Sequence, residues 1–142
     1  MTVEPEQRTP YRVTSLDALD RVPLDEGVWR PVRRVLGVTA FGVNGVVYEP
    51  GFEGFLHYHD TQDELYFVHR GRAIVEVGGE TREIGEGGLV HVESTTPRKF
   101  TNASDTEELV MLVIGGKGGY VDRDGHLVDM ERDLPRRQGF GS

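Results

Sequence analysis

The sequence predicts an all-β domain built as a closed barrel or jelly roll. Glycine accounts for 19 of the 142 residues, well above the average of about 7%, and it follows no collagen-like period. The glycines separate short runs rich in valine, phenylalanine and tyrosine, which is typical of strands joined by tight turns. About eight to ten such runs follow at close spacing, and this favours a closed barrel or a jelly roll. The length fits one domain, 1–142.

The N-terminal part, 1–37, is predicted to contain an arm and the first strand. Residues 1–15 are polar, contain two prolines and suit an extended arm. Ser15 is a candidate N-cap for one helical turn over 16–22, which Pro23 ends. Strand-like composition then begins, and 29–36 is predicted as a strand.

The central part, 38–114, is predicted to form the barrel core. Its strands are expected, in order, at 38–48, 56–59, 64–69, 72–77, 81–84, 89–92, 98–101 and 109–114. The sequence Gly-Gly-Glu at 78–80 separates two of them and is a hairpin signal.

The C-terminal part, 115–142, is predicted to form a second arm. Asp124 and Gly125 indicate a hairpin, with strands at 120–123 and 126–128. The segment 131–142 is charged, contains proline and glycine, and is expected to be irregular.

Charge and composition exclude several classes of function. The net charge is −8, so the chain repels phosphate, and neither nucleic acid nor a membrane is expected as a partner. The longest apolar run, 109–114, is far below the roughly 20 residues of a membrane span. The absence of cysteine excludes disulfides, thiolate catalysis and cysteine-ligated metals. The first thirty residues are acidic and lack an apolar stretch, which predicts a cytoplasmic protein without a signal peptide.

Two histidines and a glutamate have the spacing of a metal site. His57 and His59 lie two residues apart in a predicted strand, so their imidazoles point to the same face. Glu64 follows a polar stretch that can turn the chain and opens the next strand. Two neutral imidazoles and one carboxylate bind divalent iron, manganese, nickel or zinc and leave positions open. Spacing alone is equally compatible with two surface histidines near an unrelated acid.

The residues around this set extend the pattern. The segment 51–71 reads GFEGFLHYHDTQDELYFVHRG, with Gly51 and Gly71 flanking the two histidines and Glu64 at fixed intervals. This segment resembles the first motif of the cupin family at every defining position. A second cupin motif is similar to 87–102, which reads GGLVHVESTTPRKFTN. Three positions depart from that motif, which has proline, glycine and a fourth histidine ligand where this chain has Glu93, Thr95 and Arg98.

The resemblance implies a small β-barrel with a metal site in its mouth, formed here by His57, His59 and Glu64. It also implies a homodimer joined through barrel-face and arm strands, and a small-molecule ligand. Cupin activities range from dioxygenases, isomerases, decarboxylases and lyases to binding without catalysis, so the fold does not select a reaction.

Arg98 stands where the resemblance places a fourth metal ligand, and arginine cannot ligate a metal. At about 5 Å and an effective dielectric constant of about 20, a guanidinium and an ion site of net charge +1 to +2 repel by several kcal/mol, up to about 6–7. Arg98 could turn away, hold an anionic substrate, or pair with Glu64 and replace the metal. In another register His91 would be the fourth ligand, but Val90 and Val92 are the expected core-facing positions, so His91 is expected to face outward.

Tyr66 completes the candidate site, because it shares the face of Glu64 by the two-residue period of a strand. It could donate a hydrogen bond to a substrate, or it could simply be an aromatic residue of the barrel wall.

These candidate site residues support two hypotheses about function. One is a metalloenzyme that uses Arg98 and Tyr66 to bind a small anionic substrate. The other is a non-catalytic binding or sensing protein in which an Arg98–Glu64 pair replaces the metal.

Overall fold

The computed structural model describes residues 10–24 and 26–137. These residues form eleven strands, two α-helices and a short 3-10 turn. The elements are the 3-10 turn Leu16–Ala18, β1 (Val22–Pro23), β2 (Val28–Arg30), α1 (Val32–Leu36), β3 (Gly42–Tyr48), β4 (His57–His59), β5 (Asp63–Arg70), β6 (Ala73–Val77), β7 (Glu80–Ile84), β8 (Leu89–Val92), β9 (Arg98–Asn102), β10 (Leu109–Gly116), β11 (Gly125–Leu127) and α2 (Met130–Arg137).

The strands form two antiparallel sheets. The six-stranded sheet has the order β1-β2-β3-β10-β5-β8, and the five-stranded sheet has the order β11-β4-β9-β6-β7. Apolar side chains from both sheets pack into one core, in which Val68, Val75 and Leu109 are almost completely buried. Each such side chain contributes roughly 1.5–3 kcal/mol by leaving water. The prediction of an all-β jelly roll is therefore confirmed, although the two sheets do not close into a strict barrel.

The N-terminal part differs from its prediction in two places. The strand expected over 29–36 ends at Arg30, and Val32–Leu36 is helical. Pro31 has no N–H with which to continue a strand ladder, and Gly37 ends the helix with a left-handed φ of 71°. The helical turn predicted over 16–22 is only the 3-10 turn Leu16–Ala18, and the Ser15 side chain does not cap it.

The prediction for the C-terminal part is wrong about which strand β11 pairs with and about the structure of the segment that follows it. No hairpin forms around Asp124 and Gly125; instead β11 pairs with β4, the strand of both site histidines. Residues Met130–Arg137 form α2 where irregular structure was expected, while 138–142 lie outside the described residues. Asp129 begins this helix by accepting the N–H of Arg132 at 3.0 Å.

Among the residues that the structure describes, no helix has both the length and the apolar composition needed to cross a membrane.

An ion cluster fastens α2 to the five-stranded sheet and to the loop before β4. The Glu53 carboxylate accepts hydrogen bonds from Arg132 of α2 and from Lys99 of β9. Arg136 of α2 donates to the carbonyl oxygens of Glu53 and Gly54. The hydrogen bonds from Arg132 and Lys99 lower the pKa of Glu53 from its ordinary value of 4.5 to about 2.

The ion cluster predicts a defined acid sensitivity. Because the folded-state pKa of Glu53 is depressed, its contribution to stability is present above about pH 4.5 and is lost as the pH falls toward 2. The carboxylate is partly exposed and screened by solvent, so we expect about 1 kcal/mol. Glu53→Gln should flatten the dependence of the free energy of unfolding on pH in this window, measured by urea unfolding. The outcome that contradicts this is an unchanged slope between pH 4.5 and 2.

Candidate metal centre

The structure brings together the three residues that the sequence predicts as metal ligands. His57 and His59 project from the same side of β4, and Glu64 lies near the start of β5. One ligand atom from each residue lies within 4.8 Å of the other two. The imidazole rings meet edge to face, with their centroids 5.3 Å apart. Glu64 is largely buried, with 11% of its side chain exposed.

Hydrogen bonds set the orientation of both imidazoles. Nδ1 of His57 lies 3.0 Å from the carbonyl oxygen of Phe55, and Nδ1 of His59 lies 2.7 Å from Oδ1 of Asp124. A carbonyl and a carboxylate only accept hydrogen bonds, so Nδ1 carries the proton in each ring. When each ring is neutral, its Nε2 therefore presents a lone pair, which is the form that binds a metal.

Nε2 of His59 faces Glu64 without a hydrogen bond between them. It lies 3.1 Å from Oε1 of Glu64, yet among the described residues this buried nitrogen has no aligned hydrogen-bond partner. When His59 is neutral, Nε2 and Oε1 are both acceptors, and at that distance they repel unless a cation lies close to both. The donor set, two imidazole nitrogens and one carboxylate oxygen, is the one that divalent transition metals accept. The residues present therefore fit a metal ion.

The electrostatic surroundings keep Glu64 ionised. Burial raises the pKa of Glu64, but the neighbouring His59 and the hydroxyl of Tyr66 outweigh burial, so the pKa is lowered. Burial lowers the pKa of His59, but the Glu64 and Asp124 carboxylates reverse that effect and raise it. The site thus holds a negative carboxylate against an imidazole in a partly dry environment.

Arg98 points into the site rather than out to solvent. Its side chain is completely buried, and Nη1 lies 3.8 Å from Oε1 of Glu64. That distance allows attraction but is too long for a hydrogen bond. Nη2 donates to the carbonyl oxygen of Glu93 at 2.9 Å, while Nη1 and Nε have no hydrogen-bond partner among the described residues. The guanidinium therefore retains two donor nitrogens without a hydrogen bond, and one of them, Nη1, lies beside the Glu64 carboxylate.

Tyr66 belongs both to the core and to the site. Its ring packs against Phe100 with centroids 4.1 Å apart, and its hydroxyl donates to Oε1 of Glu64. Burial, together with the Glu64 charge, raises the pKa of Tyr66 well above 10. Tyr66 therefore places a neutral O–H donor at the candidate site.

The remaining histidines lie away from this site. His69 and His91 are exposed on the outer side of the six-stranded sheet, so the expectation that His91 faces outward is confirmed. His126 lies on β11 and contacts Asp60 through Nε2 at 2.8 Å.

Asp124 contacts a proposed metal ligand but was not predicted from the sequence as a site residue. It lies 65 residues after His59, in the predicted hairpin turn, and only the pairing of β11 with β4 brings it to the imidazole. Burial raises its pKa, but hydrogen bonds from Gln62 and Thr61 outweigh burial and lower it well below the usual range.

Solved structures share this fold. One is the crystal structure of a sugar phosphate isomerase from a cupin superfamily, from Silicibacter pomeroyi, with a TM-score of 0.69 and 23% identity over 84% of this chain and 83% of that one. Another is the polyketide cyclase RemF of Streptomyces resistomycificus, with a TM-score of 0.71 and 15% identity over 91% of this chain and 97% of that one. At these identities the likeness shows the fold alone.

Sequence comparison shows the family. An uncharacterized protein of Streptomyces coelicolor is 43% identical over 53 residues, which are 37% of this chain and 49% of that protein. The match thus spans about half the length of that relative. The family model described as the cupin domain matches residues 45–115, which is half of this chain and includes His57, His59 and Glu64. The chain therefore belongs to the cupin family.

Proposed function

We propose that this cupin binds a divalent transition metal through His57, His59 and Glu64, together with a small anionic organic ligand. One observation carries the metal part of the proposal. Nε2 of His59 and Oε1 of Glu64 face each other at 3.1 Å without a hydrogen bond, inside a set of three ligand atoms within 4.8 Å. A divalent ion would satisfy both acceptors at once.

Arg98 supports an anionic ligand. A buried guanidinium with two unused donors costs free energy, and a carboxylate accepts from such donors with charge-assisted hydrogen bonds. Charge balance favours the same class of ligand. With neutral histidines, a divalent metal, Glu64 and Arg98 would sum to a net charge of +2, which an anion reduces. Tyr66 and Arg98 are therefore the proposed substrate-binding residues.

These parts suit a metalloenzyme acting on an anionic substrate. A bound divalent metal would supply Lewis acidity toward a substrate oxygen. Arg98 would hold the substrate carboxylate and stabilise negative charge near it, because its donors are fixed in a buried position. Tyr66 would keep a proton on its hydroxyl, since its pKa is well above 10. That single proton is donated to Glu64, so a substrate oxygen would have to replace Glu64 as its acceptor.

A second candidate is a non-catalytic binding protein in which Arg98 replaces the metal. The observation that favours it is the 3.8 Å approach of Nη1 of Arg98 to Oε1 of Glu64. That contact leaves Nη1 without a hydrogen bond, so even this candidate needs an anion at Arg98.

Calorimetry with Zn²⁺ and pyruvate as a monocarboxylate probe separates the two candidates. If the metal-dependent function is correct, the protein binds Zn²⁺, pyruvate binds the Zn²⁺-loaded protein, and Arg98→Met weakens pyruvate binding. Pyruvate that binds equally well without Zn²⁺ would favour the non-catalytic candidate. A protein that binds neither probe would refute both.

We also propose a homodimer formed through the outer apolar face of the six-stranded sheet. This face consists of Leu65, Phe67, Leu89, Leu112 and Ile114. Phe67 is registered opposite both Leu89 and Leu112, and Leu89 is 63% exposed. Leu89 is exposed and the other four side chains are half-buried. A contiguous, partly exposed apolar patch on a sheet is typical of a protein interface, and a second copy of the chain offers the same patch.

Leu89→Asp is expected to convert the dimer to a monomer, because it would place a charge at the most exposed apolar residue of the proposed interface. Light scattering at micromolar concentration measures the mass. Val128→Asp is the matched control, since Val128 is 45% exposed and follows β11 on the other sheet. A monomer mass for the unmodified protein would refute the dimer.

The net charge of −8 argues against nucleic acid and anionic membranes as partners. We propose a cytoplasmic location, with which the absence of cysteine is compatible.

A further inference from the structure

We infer that Asp124 is a positioning residue for the metal site, because it directs the Nε2 lone pair of His59 toward Glu64. This inference rests on the proposed metal-binding function. Asp124 is largely buried, with 12% of its side chain exposed, and it immediately precedes β11.

The Asp124 carboxylate is saturated by donors from the ligand-bearing segment. Oδ1 lies 2.7 Å from Nδ1 of His59 and accepts from Nε2 of Gln62 at 2.8 Å. Oδ2 accepts from the backbone N–H groups of Thr61 at 2.7 Å and of Gln62 at 3.0 Å. Apart from His59, all of these donors belong to the short link between His59 and Glu64. One carboxylate thus orients a ligand and also fixes the turn that leads to the next ligand.

The Nδ1 protons of His57 and His59 are held by different kinds of acceptor. The backbone carbonyl of Phe55 holds the Nδ1 proton of His57, and no side-chain substitution removes that group. Only the side chain of Asp124 does the same for His59. A change at Asp124 can therefore switch the tautomer of one ligand and leave the other as it is.

The backbone at Asp124 and Gly125 runs close to the His59 ring, so the Asp124 carboxylate can reach Nδ1. In the pairing of β11 with β4, Gly125 is registered opposite His59. A Cβ atom at position 125 would lie 3.2 Å from Cε1 of the His59 ring, so glycine allows the close approach. The N–H of Asp60 also donates to the carbonyl oxygen of Asp124 at 3.2 Å.

Asp124→Asn tests the inference with almost no change in side-chain size. An amide has a single oxygen, and that oxygen will accept the hydrogen bonds from the backbone N–H groups of Thr61 and Gln62. The amide NH₂ then faces Nδ1 of His59, which must become the acceptor, so the proton moves to Nε2 and blocks the metal lone pair. We expect the affinity for Zn²⁺, measured by calorimetry, to fall by about 10- to 100-fold.

Asp60→Asn is the matched control. The Asp60 carboxylate joins the same two segments through Nε2 of His126 at 2.8 Å, whereas the Asp124 carboxylate contacts His59 itself. The affinity of the Asp60→Asn protein for Zn²⁺ should stay close to that of the unmodified protein. Equal losses in both variants would show general anchoring of the C-terminal segment and would overturn the positioning role.

The tautomer of His59 is a direct readout that does not depend on metal binding. Long-range ¹H–¹⁵N NMR on the metal-free protein, in alkaline buffer where the ring is neutral, should show the proton on Nδ1 in the unmodified protein and on Nε2 in Asp124→Asn. A proton on Nε2 in the unmodified protein, or on Nδ1 in the variant, would overturn the inference. If the unmodified protein binds no Zn²⁺, the proposed function fails, and the tautomers still decide the role of Asp124.

Discussion

Replacing His57 with alanine is expected to abolish stoichiometric Zn²⁺ binding while the jelly roll stays folded. The change removes one of three proposed ligands, and the loss of affinity should exceed the 10- to 100-fold typical of residues that only orient a ligand. His57 is only partly buried and lies outside the main apolar core. We therefore expect the free energy of unfolding to change by about 1 kcal/mol or less.

His69→Ala is the control for this experiment. His69 is exposed and points from β5 to the side opposite Glu64, so its loss should leave Zn²⁺ binding unchanged. Zn²⁺ affinity in His57→Ala equal to that of the unmodified protein would place the binding site elsewhere.

Arg98→His is expected to raise the affinity for Zn²⁺ by at least about 100-fold, equivalent to about 3 kcal/mol. The change removes a buried cation whose Nη1 lies 3.8 Å from Oε1 of Glu64. It also adds an imidazole at a position that is registered opposite His57. The estimated repulsion between guanidinium and metal is several kcal/mol, so even partial relief has a large effect.

Arg98→Met separates the two contributions to this gain. Methionine removes the charge without adding an imidazole, so its Zn²⁺ affinity should lie between those of the unmodified protein and Arg98→His. Pyruvate binding should weaken in both variants, because neither side chain replaces the guanidinium donors. Zn²⁺ binding in Arg98→His that is equal to or weaker than that of the unmodified protein would refute the electrostatic account.

The strands from 56 to 114 could be predicted within one or two residues because their signals are local. Tyr66 and Val68 alternate with outward residues, and the glycines at 78 and 79 form the hairpin turn as expected. The prediction of a strand over 29–36 was wrong because it gave more weight to the β-branched valines than to Pro31 and Gly37. These two residues mark the ends of the helix. The partner of β11 could not be predicted, because no local pattern links Gly125 to His59.

The candidate site likewise contains some residues that local sequence could predict and others that it could not. His57, His59 and Glu64 could be proposed from spacing within one short segment, and the structure brings them together. The direction of Arg98 had to stay open, because three arrangements fit the same sequence. Asp124 was missed because a contact across 65 residues depends on the tertiary fold.

The metal content of the unmodified protein, purified without chelator and then reconstituted, tests the central claim most directly. Elemental analysis should find one divalent metal ion per chain after reconstitution, and His57→Ala treated in the same way should retain almost none. Metal far below one ion per chain in the unmodified protein after reconstitution would contradict the proposed metal site.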